Sequence, residues 1–350
     1  MGPDDVIVRI GTFSDGQRPG RGIVTARVSA DRSAIELADV TDAVEPSYLA
    51  PGAGGVLYAV AERHDAGGLA AFRADGDTLT PLNAVPSEGS DPCHLTLAGD
   101  GRYLAAVNYS SGSAVVYELN ADGSIGARTC LVEHTGSGPV ADRQESAHAH
   151  MVAPVPGDTG LLLVTDLGAD AVYGYRLDPA AGTLTETART ALRPGRGPRH
   201  VAFHPERRLA YIVCELDFKL VTSEWNPDTG GLTVLDERSV VSDGQQGKDL
   251  CSAIRVSPDG RFLYAATRGA DTISVFSLTP DPAAPALAGV VATGGSWPRD
   301  FALTADGLLL CANQYANTVT VFRIDPATGI PARTSATLAI PSPASILFTG

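Results

Sequence analysis

One pattern recurs along the 350 residues and restricts the fold more than any other feature. A Pro or small residue opens an alternating strand, and a turn resembling Pro-Asp-Gly-Arg follows. Then come a strongly apolar strand, a polar turn and a third strand that ends in an aromatic. CSAIRVSPDGRFLYAATRGADTISVFSL (251–278) is the clearest copy. PCHLTLAGDGRYLAAVNYSSGSAVVYEL (92–119), PRHVAFHPERRLAYIVCELDFKLVTSEW (198–225) and PRDFALTADGLLLCANQYANTVTVFRI (298–324) align with it. A sixth copy spans 148–177, and a weaker one spans 46–73. The copies start roughly 50 residues apart, in the range of propeller blades. Period-two alternation in AIRV and TISVF, with turn clusters between, reads as strand and turn, and nothing reads as a long amphipathic helix. The expectation is an all-β fold, a seven-bladed β-propeller of four-stranded antiparallel blades in one domain over 1–350.

The ends supply the seventh unit. PSPASILFTG (341–350) carries the opening and first strand of a repeat, whereas DDVIVRIGTFSDGQRPGRGIVTARVSA (4–30) begins in mid-repeat. Pairing the two would share one blade between the N- and C-terminal segments, close the ring and remove unpaired edges.

Composition limits the function. The formal charge of −14 disfavours nucleic acid and anionic lipid as partners. An anionic substrate would need a local basic pocket set against that field. No apolar run approaches the roughly 18 residues of a membrane span. The start MGPDDVIVRIG has acids where a signal peptide needs bases, so a cytoplasmic location is expected. Five cysteines without a CxxC, Cys93, Cys130, Cys214, Cys251 and Cys311, argue for reduced thiols rather than a disulfide framework or a structural zinc site.

In a propeller the first strand of each blade lines the central channel. The opening of that strand and the end of the second strand surround one mouth. The openings read Ser47, Cys93 and His94, His148 and His150, Arg199 and His200, Ser252, and Arg299. The second-strand ends read Glu62, Asn108 and Tyr109, Asp166, Glu215, Arg268, and Asn313 and Gln314. Polar and charged residues thus gather at both positions of one rim. In RQESAHAH (143–150), spacing of two puts His148 and His150 on one strand face. A metal would need a third ligand of fixed geometry, which Glu215 or Asp166 could supply, but no metallohydrolase spacing is present. Proton transfer suits histidine better near neutral pH. An ion pair between Glu215 and Arg268 on adjacent blades is the plain structural alternative.

At these residues the chain resembles the seven-bladed β-propeller lactonase family, which includes propeller-type 6-phosphogluconolactonases and carboxy-cis,cis-muconate cyclases. The resemblance runs the whole length. Its most specific pieces are IGTFSDG (10–16), HAHMV (148–152), DLGADAVYGY (166–175), GPRHVAFHP (197–205), ATRGADTISVF (266–276), WPRDF (297–301) and ANQYANTVTVF (312–322). It implies a lactone hydrolase with catalytic His148, Arg199, Glu215 and Arg268. His150, Arg299, Gln314 and Asp166 join them as candidate substrate-binding residues. Cys214 before Glu215 departs from the usual Asn-Glu-Leu, and TRGADTI lacks a frequent Asn or His. The expected chemistry opens a sugar lactone such as 6-phosphogluconolactone. Glu215 or His148 would take the proton from water and arginine would stabilise the oxyanion. No cofactor and no metal are expected. The partner is a small, anionic lactone, and the protein is a monomer or weak homo-oligomer. Two other readings stand beside this one: a lactone-forming cycloisomerase using the same residues, and a non-enzymatic interaction platform.

Overall fold

The computed structural model describes residues 5–14, 20–241 and 250–349. The end of IGTFSDG, the first four residues, Gly350 and residues 242–249 lie outside them. The described residues form seven sheets of four antiparallel strands arranged in a ring. Blades are numbered here in chain order, each with its first strand innermost. The innermost strands of blades 2 to 7 are Leu49–Pro51, Pro92–Ala98, Ala149–Val155, Pro198–Phe203, Leu250–Val256 and Pro298–Leu303. Blade 1 takes its innermost strand, Pro343–Phe348, from the end of the chain. That strand pairs antiparallel with Val6–Thr12, setting Ile346 opposite Ile10 and Phe348 opposite Val8. The closed ring and the shared blade match the expectation from the repeats.

Burial follows from the stacking of blades face against face. Second strands are enclosed on both faces and read as unbroken apolar runs, as in Leu308–Asn313 and Phe262–Arg268, where every residue is buried. Outer strands such as Ile35–Thr41 are mostly exposed. Each junction between neighbouring blades holds its own apolar cluster, including one between blades 7 and 1, where Leu308, Leu310 and Val319 pack against Val8, Ile10 and Val24. Blades 1 and 2 join through Ile23, Leu49 and Leu57. The ring is therefore welded at the junctions that flank the shared blade as well as at the others.

A second device ties four of the blades to the next. Tyr58, Tyr211 and Tyr264, four residues before the channel-rim position of their blades, donate their hydroxyls to Gly123, Pro282 and Gly329 carbonyls of the following blade, at 2.8, 2.9 and 3.0 Å. In blade 1 the same place holds Arg9, only 1% exposed, which donates to the Gly76 and Asp77 carbonyls of blade 2. An arginine does a tyrosine's work there because its fork satisfies two carbonyls at once. Among the described residues no helix is long and apolar enough to cross a membrane.

Candidate active site

Strand register defines two rings of side chains at one mouth of the channel. The backbone N–H of Phe13, Tyr109, Leu167, Glu215 and Gln314 each donates to the carbonyl of the residue just before the innermost strand of its blade, and that of Glu62 donates to the Glu45 carbonyl on the connection leading into Leu49–Pro51. These six therefore hold one equivalent position. Arg268, which follows Thr267 as Gln314 follows Asn313, holds it in blade 6. The innermost strands contribute the second ring. Pro92, Ala149, Pro198 and Pro298 pair with Asn108, Asp166, Cys214 and Asn313. The residues after them, Cys93, His150, Arg199 and Arg299, are thus equivalent.

Glu215 is the centre of the site. Its Oε1 accepts from Arg143 Nη2 at 2.5 Å, and its Oε2 lies 2.7 Å from Arg268 Nη2 and 2.9 Å from Arg199 Nε. Three cations on one carboxylate, itself 2% exposed, decide its charge. Burial would raise the carboxyl, but Arg268, Arg199 and Arg143 outweigh burial and hold it well below the usual carboxylate range. Burial lowers Arg199 to about 9, helped by the charge of Arg268 and opposed by Glu215. Backbone carbonyls fix both buried arginines: Arg199 Nη1 donates to Ser252 at 2.7 Å, and Arg268 Nη2 donates to Cys251 at 3.0 Å. Across the mouth Arg299 Nη2 lies 3.3 Å from Glu62 Oε1, with its guanidinium 4.6 Å above the centre of the Phe13 ring. Trp297 backs Arg268 in the same way at 5.4 Å.

The two histidines of the HAH motif occupy different levels. His150 holds the position of Arg199 and Arg299. His148 sits at the rim, its ring stacked on Tyr109 with centroids 4.5 Å apart. Its Nδ1 is 3.0 Å from the Tyr109 carbonyl and its Nε2 3.0 Å from the Glu145 carboxylate. Both ring nitrogens of His148 are therefore engaged away from Glu215, and the two do not support one another directly. Tyr109 joins them, since Arg143 Nη2 also lies 3.3 Å from its hydroxyl.

Asp166 lies one residue short of the rim position. It is fully buried. One carboxylate oxygen accepts the N–H of His148 and of Ala169, both at 2.8 Å, and the other meets His134 Nδ1 at 2.7 Å. It precedes the rim position by one residue, so the strand turns it to the other side and Leu167 takes the rim place. Its partners tie the connection 134–148 to the rim. Gln314 does hold the rim position, 4% exposed, with its Oε1 buried and unpartnered.

Arg143 was not singled out from the sequence. It rides on residues 134–148, a longer connection than its counterparts 87–91, 192–197 and 293–297. Gln144 pins that segment, donating from Nε2 to the Leu167 carbonyl at 2.8 Å and accepting the Val140 N–H at 3.2 Å. An arginine beside HAH on the longest such connection was the available signal.

Beneath the arginines, His94, His150, His200 and Tyr48 close the channel. His200 lies 5.4 Å from His150 and 5.8 Å from His94, and His94 lies 4.2 Å from Tyr48, centre to centre. Burial, reinforced by the charges of Arg255 and Arg199, lowers His94 to about 3; burial and Arg199 also drive His150 and His200 well below the ordinary value. All three are neutral near pH 7. Beyond them a cavity of about 510 Å³ occupies the far end of the channel, walled by residues such as Val152, Val201, Ile254 and Ile346. Its cation, Arg255, is matched by Asp300 at 2.8 Å, so the uncompensated positive charge lies at the mouth. Among the described residues no three His, Cys, Asp or Glu side chains converge as metal ligands.

Comparison with known proteins agrees with this architecture. A family profile described as "Lactonase, 7-bladed beta-propeller" matches residues 7–348. A Bacillus subtilis protein named 6-phosphogluconolactonase is 32% identical over 344 residues, covering 97% of each chain. The solved structure of a periplasmic gluconolactonase from Pseudomonas aeruginosa superposes with a TM-score of 0.92 at 30% identity, covering 99% of each chain. A Lactobacillus plantarum protein of known structure gives 0.92 at 29% identity over 99% of this chain and all of its own. The chain is a lactonase and belongs to the seven-bladed β-propeller lactonase family.

Proposed function

We propose that this protein hydrolyses an anionic sugar lactone, of the 6-phosphogluconolactone type, at the mouth described above. The observation that carries the reading is the cluster of Arg143, Arg199 and Arg268 around Glu215, with Arg299 opposite: four arginines against two glutamates, in a chain of net charge −14. Such a concentration opposes the global field and suits a substrate bearing phosphate or carboxylate. The names of its relatives include both a phosphorylated and an unphosphorylated gluconolactone activity.

In the proposed reaction the lactone carbonyl oxygen faces Arg199 and Arg268. Their guanidinium donors stabilise the tetrahedral oxyanion, a contribution of about 3 kcal/mol per good donor. Glu215, ionised at neutral pH, takes a proton from the attacking water. As the ring C–O bond breaks, that proton passes to the leaving alkoxide, and the product is the open hydroxy acid. Arg299, and Gln314 through its unpartnered oxygen, hold the substrate. His148, locked between Tyr109 and Glu145, shapes the rim, and the neutral His150 donates a hydrogen bond without competing for the anion.

The test is initial-rate hydrolysis of 6-phosphogluconolactone and glucono-δ-lactone, followed by proton release, with and without a chelator. Carboxymuconate lactonisation is assayed in parallel. Turnover of the phosphorylated lactone is expected. Lactonisation with no lactone hydrolysis would assign the site to the cycloisomerase instead.

A further inference from the structure

Glu215 as it stands cannot reach a water molecule. It is 2% exposed, and both carboxylate oxygens are held by guanidinium groups. Two of those groups have nowhere to go. Arg199 and Arg268 extend from strands, are 3% and 5% exposed, and are tethered to the carbonyls of Ser252 and Cys251. Arg143 differs on each count. It belongs to the connection 134–148, its side chain is 32% exposed, and among the described residues its side-chain polar partners are Glu215 and the Tyr109 hydroxyl, both met through the same Nη2. The adjacent Gln144 anchors the backbone, so the side chain can change partner without moving a strand.

We propose that Arg143 grips the anionic group of the substrate, exchanging Glu215 Oε1 for a phosphate or carboxylate oxygen and so uncovering Glu215 for the attacking water. This rests on the hydrolase reading above and adds to it a selection rule. A phosphate or carboxylate offers a guanidinium a bidentate partner as good as the one it leaves. A neutral lactone offers nothing for the exchange and leaves the base covered. Withdrawal of one cation also strengthens Glu215 as a proton acceptor. The groups that then bear on it are Arg199 on its own blade, Arg268 and the Cys251 thiol of blade 6, and His150 of blade 4, with Arg299 acting across the mouth on Arg199 and Arg268. Tyr109 remains behind as the hydroxyl that Arg143 passes.

The experiment compares wild type, R143Q and R143K on 6-phosphogluconolactone and glucono-δ-lactone. Calorimetric binding of the products 6-phosphogluconate and gluconate is measured alongside. In R143Q the ratio of kcat/KM for the phosphorylated over the neutral lactone should fall about tenfold or more, through KM, as expected for loss of one charged hydrogen bond. Binding of 6-phosphogluconate should weaken by a similar factor relative to gluconate. R143K should recover part of both ratios. The acidic limb of the rate profile on the neutral lactone should move to higher pH in R143Q, because Glu215 keeps one cation fewer. Equal losses on both substrates, with neither binding ratio nor acidic limb displaced, would make Arg143 a structural brace and overturn the proposal. If wild type opens neither lactone, the hydrolase reading fails, while the calorimetric ratio still reports separately whether Arg143 selects anions. Thermal unfolding of each variant confirms that folded protein is compared.

Discussion

The three histidines that floor the site make the protein acid-sensitive by an amount that can be worked out. His94, His150 and His200 are 3%, 6% and 3% exposed, and burial keeps them neutral far below the ordinary value of 6.5. In the unfolded chain each takes a proton as pH drops through 6.5; in the folded chain His94 holds out to about 3. Their contribution is therefore complete above pH 6.5 and is lost progressively as pH falls toward 3. At pH 5 His94 lags its unfolded counterpart by about one and a half pH units, or about 2 kcal/mol. His150 and His200, lowered by burial in the same direction, add to that loss. The exposed His64, raised by its hydrogen bond to Asp91, works in the opposite direction. The assay is urea unfolding at half-unit steps from pH 7.5 to 5. Near pH 5.5 stability should fall with falling pH, and in H94Q the slope should correspond to close to one proton fewer taken up on unfolding. A wild-type stability that is flat over this range, or an unchanged slope in H94Q, would refute the claim that these rings are buried and neutral.

Three further outcomes are expected. E215Q and R268M should each lower lactone turnover by about a hundredfold or more, read in the same proton-release assay. E215Q should also melt earlier, because three arginines are left around an uncharged amide and breaking a buried pair costs about 3–5 kcal/mol. Leu310→Ala, in the cluster joining blades 7 and 1, should cost about 2–5 kcal/mol in denaturant unfolding, since Leu310 is fully buried against the shared blade.

The fold was legible because a propeller writes its architecture as a repeat, and each copy carries its own turn marker. The site was legible to the degree that the marker was. Proline opens the innermost strand in blades 3, 5 and 7, so Arg199 and Arg299, one residue later, could be located by counting. Blade 4 has Ala149 in that place, with a histidine on either side. Nothing in the local sequence says which histidine is equivalent to Arg199, and only the pairing of Ala149 with Asp166 resolves it in favour of His150. Asp166 fell one residue from the rim position for a related reason. A strand sends neighbours to opposite sides, so an alignment good to one residue is good to nothing where facing matters. Arg143 has no counterpart in other blades, and its reach to Glu215 crosses from a connection to another blade altogether. Periodicity cannot register such a contact.

The shared blade also carries a consequence for biosynthesis. During translation, blades 2 to 7 can stack as they emerge, but the sheet begun by Val6–Thr12 keeps an open edge until Pro343–Phe348 arrives. Until that moment the nascent chain is a horseshoe with a sticky rim and a half-built vestibule. Loss of Pro343–Phe348 would thus leave a product that can neither latch nor hide its own edge.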